Sequence, residues 1–129
     1  MLRVEAAPAT VPCSDGLLRQ VLSNLGENSV KYRRSGVPLS IEIRGRALPH
    51  TYEFSVSDNG AGMSTAVARH AFDPFFRGEQ EPTTPGSGLG LSIVKRVVEA
   101  SGGSVSVQSV VGVGTIFKVC LPLVAHKAA

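Results

Sequence analysis

Three groups of residues in this chain have types and spacings suited to chemistry. The first is Gly86-Ser87-Gly88-Leu89-Gly90-Leu91-Ser92-Ile93-Val94-Lys95, where three glycines alternate with other residues before an apolar-periodic run begins. Glycine lets backbone approach closely. Ser87 suits the N-cap of the helix that follows. Free N–H groups at such a helix start make an anion site, most often for phosphate. The second group is Asn24, Asn28 and Lys31, which at ~100° per residue fall within roughly 60° of arc on one helix face. Two amides and an amine in line can serve magnesium and phosphate oxygens. The third is Asp58, followed by Asn59-Gly60-Ala61-Gly62-Met63. A carboxylate at a strand end, with glycines leaving room beside it, accepts hydrogen bonds and suits the amino group of adenine. Each group alone also has a plainer reading: a flexible loop entering a helix, a solvated polar face, and an Asn-Gly hairpin turn.

Two familiar phosphate motifs do not fit. A Rossmann turn needs G-x-G-x-x-G after a strand, but position 91 is leucine and a polar, proline-rich stretch precedes Gly86. A Walker loop needs Gly-Lys-Ser/Thr, a tripeptide absent from the chain. A phosphate-holding loop here belongs to another fold, and the elements around it define which.

Residues 2–7 read as a short edge strand closed by Pro8 and Pro12. Asp15 then caps a helix to about Arg33. Leu18, Val21, Leu22 and Leu25 supply its apolar face. Gly26 is unusual inside a helix and suggests close packing or close approach of a ligand. Gly36 and Pro38 close the helix. Leu39 to Arg44 and Tyr52 to Ser57 alternate as two strands joined by Ala47-Leu48-Pro49-His50, and the second strand runs into Asp58. Ser64 to His70 looks helical, which speaks against a hairpin at Asn59-Gly60. Phe72-Asp73-Pro74-Phe75-Phe76-Arg77 holds three of the chain's five phenylalanines and reads as a core anchor. Residues 78–86 are polar, with two prolines. A helix over 88–101 turns Leu91, Val94 and Val98 inward and stops at Gly102-Gly103. Ser104 to Ser109 and Thr115 to Leu121 alternate as an antiparallel pair, with Gly112-Val113-Gly114-Thr115 as the turn. Three helices on one side of a mixed, mostly antiparallel sheet give a two-layer α/β sandwich.

With 129 residues the chain suits a single domain, 1–129. Its 43% hydrophobic and 18% charged residues are a globular balance. A net charge of +3 is spread thinly and clusters only at Arg33-Arg34, so neither nucleic acid nor a membrane surface is indicated as a partner. Cys13 and Cys120 lie near opposite ends and read as reduced thiols. No apolar run reaches transmembrane length and the first residues do not form a signal peptide, so a cytoplasmic location is expected.

All these stretches in order resemble the catalytic, ATP-binding domain of bacterial sensor histidine kinases, in the GHKL superfamily. Asn24-Leu25-Gly26-Glu27-Asn28-Ser29-Val30-Lys31-Tyr32 is similar to the N box. Asp58 to Met63 resembles the first glycine box, Phe72 to Arg77 the F box, Gly86 to Gly90 the second glycine box and Gly112 to Thr115 the third. Together they span nearly the whole chain. Gly26 and Ser29 depart from the pattern, standing where the family usually has a larger apolar residue and alanine.

The resemblance implies that Asp58 receives the adenine amino group with Thr115 helping through water, that Gly60 and Gly62 leave space for the base, and that Met63 and Tyr32 flank it. It implies that Asn28 holds Mg²⁺ through its amide oxygen, with Asn24 one turn earlier. Lys31 and Arg77 meet phosphate oxygens, Phe75 belongs to the nucleotide-binding set, and the amides of Gly86, Ser87, Gly88, Leu89 and Gly90 cradle the phosphates. ATPases of the superfamily carry glutamate at the position of Asn24 to activate water. An amide cannot take a proton, so poor hydrolysis and transfer to an outside residue are implied. That acceptor, in the family, is a histidine followed by an acidic residue on a separate dimerisation domain, with a response regulator downstream. His50, His70 and His126 are followed by Thr51, Ala71 and Lys127, and none fits. The acceptor domain is thus expected outside this sequence. A non-catalytic nucleotide-sensing module and an anti-sigma-type protein-serine kinase are the alternatives within the same superfamily. The loop over about 78–86 has little apolar surface with which to offset its ordering entropy and is expected to act as a lid that orders on the γ-phosphate.

Overall fold

In the computed structural model, which describes residues 2–6, 15–74 and 90–123, the alternating stretches become strands and the helix-periodic stretches become helices. The order is β1 (Leu2–Ala6), α1 (Asp15–Lys31), β2 (Ile41–Ala47), β3 (Thr51–Asp58), α2 (Thr65–Arg69), α3 (Gly90–Ala100), β4 (Ser104–Val110) and β5 (Gly114–Pro122). The strands form one five-stranded sheet in the order β1-β2-β3-β5-β4. β1 lies parallel to β2 at one edge, and the other three pairings are antiparallel. A parallel pair needs a crossover connection, and α1 lies in it.

Period-two alternation divides the sheet into two faces. Tyr52, Phe54 and Val56 of β3 and Phe117, Val119 and Leu121 of β5 are buried on one face. Val21 and Leu25 of α1 and Val94 and Val98 of α3 cover them, and Leu18, Leu22, Leu91 and Val97 pack around the rim. α1 packs on α3 and β3, α3 on β4 and β5, and α2 on β4. The opposite face is polar: Glu53 meets Arg46 at 3.3 Å and Lys118 at 3.8 Å, and Glu42 pairs with Arg44. Cys120 sits beside Glu53, and burial first, then that carboxylate, push its thiol above the ordinary cysteine value. Cys120 carries a free thiol, and Cys13 lies outside the described residues.

This is the expected two-layer α/β sandwich. Boundaries move where local contacts extend an element. β2 continues past Arg44 to Ala47 because its ladder with β3 runs on through Gly45 opposite Phe54, Arg46 opposite Glu53 and Ala47 opposite Tyr52, and the Tyr52 ring lies over Gly45. α1 ends at Lys31, not near Arg33, since its last turn tightens: Arg33 N–H donates to Val30 O at 3.3 Å. Gly114 and Thr115 belong to β5, leaving Val111-Gly112-Val113 as the turn. Phe72 acts as an anchor, edge-on to Phe117 with ring centroids 6.0 Å apart. α2 starts at an N-cap, with Ser64 Oγ accepting from Val67 N–H at 3.2 Å.

α3 stops as expected, and the reason is visible. Gly103 N–H donates to Val98 O at 2.9 Å and Gly102 N–H to Glu99 O at 3.0 Å, a Schellman close. A Cβ on Gly103 would lie 2.1 Å from Cys120 O, so the helix end is pressed against β5. Gly26 differs: a Cβ there meets nothing within 4 Å, so tight packing against the protein does not explain it. Gly103→Ala is expected to destabilise by about 2 kcal/mol or more. Gly26→Ala should stabilise by about 1 kcal/mol, the helix-propensity difference. Urea unfolding of the two variants measures both shifts.

Candidate functional site

The site is built where β3 ends. Asp58 lies on the helix-covered face, opposite Ile41 of β2 and Thr115 of β5. Both of its carboxylate oxygens have a donor. Gly60 N–H reaches Oδ1 at 2.8 Å, closing an Asx turn, and Ser29 Oγ–H of α1 reaches Oδ2 at 2.8 Å. Ser29 is fully buried. The end of α1 therefore rests on the turn after β3. Ala61 N–H donates to Tyr32 O at 2.8 Å.

The turn between β4 and β5 closes the other side. Gly112 N–H donates to Ala61 O at 2.8 Å. Gly62 has φ +73°, and a Cβ on it would lie 2.1 Å from Val110 O. Gly114 has φ +149°, and a Cβ on it would lie 1.9 Å from Asp58 O. Side chains at these two positions are excluded both by conformation and by contact. Ser109 binds the group together: its Oγ accepts from Met63 N–H at 2.7 Å and lies 2.8 Å from Thr115 Oγ1 and 3.1 Å from Gly114 O. Serine has one proton, so it donates either to Gly114 O or to Thr115 Oγ1. Thr115 is buried and faces the same side as Asp58. The Met63 side chain is buried in the core cluster.

Asn24, Asn28 and Lys31 lie half-buried along α1, beside Ser29. Asn24 Nδ2 donates to Gly90 O at 3.2 Å, tying α1 to the first residue of α3. The Asn28 amide takes no partner among the described residues. Its carbonyl oxygen is a hard donor, and Mg²⁺ takes such oxygens, commonly one or two from protein with the rest from phosphate and water. Asn28 thus fits a nucleotide-borne Mg²⁺. Among the described residues no group of three or more His, Cys, Asp or Glu is arranged to hold a metal. The Lys31 ammonium stands 6.0 Å from the centre of the Tyr32 ring.

Of the residues expected from the sequence, the structure brings together Asn24, Asn28, Lys31, Tyr32, Asp58, Gly60, Gly62, Met63, Gly90 and Thr115. Phe75, Arg77, Gly86, Ser87, Gly88, Leu89 and the proposed lid lie outside the described residues. Three contributors went unnoticed in the sequence. Arg34 donates through Nε to Asn59 O at 2.9 Å and through Nη1 to Gly112 O at 3.1 Å, joining the two turns. The Asn59 amide receives Ser40 N–H at 2.8 Å and donates to Pro38 O at 3.0 Å. Ser109 is the third. Arg34 was visible only as half of a basic pair, whereas Ser109 could have been found from its place opposite Thr115 in the alternating strands.

A mixed sheet layered by helices, with a doubly bonded carboxylate at one strand end and a polar helix stripe beside it, defines a nucleotide-binding α/β domain. The model of the HATPase_c family, the histidine kinase-, DNA gyrase B- and HSP90-like ATPases, matches residues 14–125, and the chain belongs to this family. Sensor histidine kinase AtsR of Burkholderia thailandensis is 39% identical over 125 residues, which make up 95% of this chain and 21% of that protein. The chain thus spans well under two thirds of this relative. The mycobacterial sensor histidine kinase MprB superposes with a TM-score of 0.84 at 28% identity, covering 97% of this chain and 84% of that one. Full-length ShkA in complex with AMPPNP gives a TM-score of 0.73 at 29% identity, over 97% of this chain and 27% of that one. This is an ATP-binding domain of the sensor-histidine-kinase type. Among the described residues no helix is long and apolar enough to cross a membrane.

Arg34 makes the geometry of the two turns testable. Arg34→Ala is expected to cost about 1–2 kcal/mol of stability. Amide exchange should speed up at Ala61 and Gly112 and stay slow at Phe117 and Val119. Arg34→Lys should not rescue either effect, because a single ammonium cannot reproduce the fork made by Nε and Nη1.

Proposed function

We propose that this chain is the catalytic domain of a two-component sensor histidine kinase. It holds Mg-ATP while the γ-phosphoryl passes to a histidine on a separate, cytoplasmic dimerisation domain, which then serves a response regulator. The observation that carries this reading is the Asp58 carboxylate, bound by Ser29 and Gly60 at 2.8 Å each and placed beside the Asn24, Asn28 and Lys31 stripe. Family membership and the AMPPNP bound by ShkA support it.

In this reading Asp58 accepts from the adenine amino group, Thr115 reaches the base through water, and Tyr32 and Met63 flank it. Gly60 and Gly62 let the turn that forms this end of the pocket pack closely against Tyr32, Asp58 and Val110. Asn28 offers its amide oxygen to Mg²⁺, and Lys31 meets phosphate oxygens. Arg77, and the backbone from Gly86 to Gly90, complete the phosphate contacts. Bound Mg²⁺ would neutralise charge between phosphate oxygens. Phosphoryl transfer asks mainly for positioning and charge neutralisation, which these side chains supply without covalent help. Asn24 keeps α1 registered against the start of α3. Being an amide, it takes no proton from water, so hydrolysis should be slow.

The deciding experiment mixes the chain with a purified histidine-bearing dimerisation domain and γ-labelled ATP. Acid-labile, alkali-stable label on the partner is the expected result. Acid-stable label on serine would replace the reading with a protein-serine kinase, and tight binding without transfer would replace it with a nucleotide-sensing module. Two variants test the roles. Asp58→Asn should weaken ADP binding by about 10- to 100-fold, the value of a hydrogen bond to a charged group, with the fold intact. In Asn28→Ala, calorimetry should find that magnesium no longer strengthens ATP binding; a wild-type magnesium dependence would place the ion on another residue.

A further inference from the structure

Ser29 lies in the middle of a helix, where a serine hydroxyl ordinarily donates to the carbonyl four residues back. That carbonyl, Leu25 O, is 3.3 Å from Ser29 Oγ, while Asp58 Oδ2 is 2.8 Å away. The hydroxyl has one proton, and the charged, closer acceptor takes it. Ser29 is fully buried, so this donor reaches Asp58 from inside the fold and not from the solvent side. The opposite oxygen of the same carboxylate is held by Gly60 N–H at 2.8 Å. Rotation of the carboxylate about its last bond breaks both contacts together. Of its roughly four lone-pair positions, two are engaged and the others are held in a fixed plane as acceptors.

We propose that Ser29 is a positioning residue for base selectivity: by fixing the plane of Asp58 it makes the site favour a purine with a 6-amino donor over one with a 6-oxo acceptor. The proposal rests on Asp58 reading the base, and it adds a residue that never touches the nucleotide. A preset acceptor avoids the cost of ordering the side chain on binding, a gain that only a ligand using that acceptor receives. A 6-oxo purine presents an acceptor to an acceptor at position 6, and its N1–H donor lies one ring atom away, toward which a carboxylate held at both oxygens does not turn.

Titration calorimetry of the full chain with ADP and with inosine diphosphate separates the possibilities. The unsubstituted chain should bind ADP more tightly. In Ser29→Ala, ADP affinity should fall by about fivefold, the weight of one ordinary hydrogen bond, while inosine diphosphate affinity holds, so that their ratio contracts. Ser29→Cys keeps the volume with a much weaker donor, should contract the ratio likewise, and serves if the alanine form is unstable. Equal losses for both nucleotides would make Ser29 merely structural and overturn the proposal, as would unchanged or tighter ADP binding. Asp58→Asn run in parallel distinguishes the failures. A contracted ratio there beside an unchanged ratio in the Ser29 variants removes only the role of Ser29. An unchanged ratio in Asp58→Asn removes the reading of Asp58 and this proposal together.

Discussion

A half-buried carboxylate must be met by donors or it is expelled from the fold. Asp58 finds one donor on α1 and one on its own turn, and the arrangement of the site follows from that need. Ser29 can reach Oδ2 only if the C-terminal half of α1 lies across the end of β3. That placement puts the Asn24, Asn28 and Lys31 stripe next to the carboxylate, although these residues lie about 30 positions away in the chain. It also leaves Tyr32 O where Ala61 N–H can use it. One ionised group thus ties a helix, a strand end and a loop into a common geometry.

Close approach is the second constraint, and it explains where side chains are forbidden. The turn after β3 is held against the turn between β4 and β5 by Gly112 N–H to Ala61 O and by the two bonds of Arg34. With backbone packed against backbone there is no volume for a Cβ at Gly62 or Gly114. The glycines here are consequences of packing two turns around a carboxylate. Gly26 sits in open space instead and shares none of this logic.

The sheet, the two longer helices and the inward stripe of α1 were legible in the sequence because they rest on periodicity, which burial enforces at every second or every third to fourth residue. The helix stop at Gly102-Gly103 was legible because only one local geometry fits it. Asp58 was legible as a carboxylate among glycines. Boundaries were less so: β2 extends to Ala47 because its ladder with β3 runs on to pair Ala47 with Tyr52, a pairing that no local pattern announces. Arg34 escaped notice because its acceptors are carbonyls of residues 25 and 78 positions away, and any residue carries a carbonyl. Ser29 stood out only as a departure from a family pattern, and its partner 29 residues on becomes visible once the helix has docked.

The two ends of the site differ in how they are built, and the difference matches what each must tolerate. Around Asp58 nearly every polar group is matched within the protein: Ser29, Gly60, Ala61, Met63, Ser109 and Thr115 all have identified partners. Recognising a flat, neutral base depends on acceptors that stay in plane, and a saturated network keeps them there. Along α1 the chemistry is looser. Asn24 spends its amide on Gly90 O, and Asn28 one turn later keeps its own for what arrives. The stripe carries two amides and an amine and no carboxylate, so a polyphosphate meets dipoles and a cation there, not a like charge. The negative charge of Asp58 falls off only slowly in a half-buried setting, so how that charge is balanced matters to a polyphosphate held on the neighbouring stripe. The two bonds to Asp58 disperse its charge into α1 and the turn. A carboxylate able to read an amino group can therefore share one helix with a surface suited to phosphate.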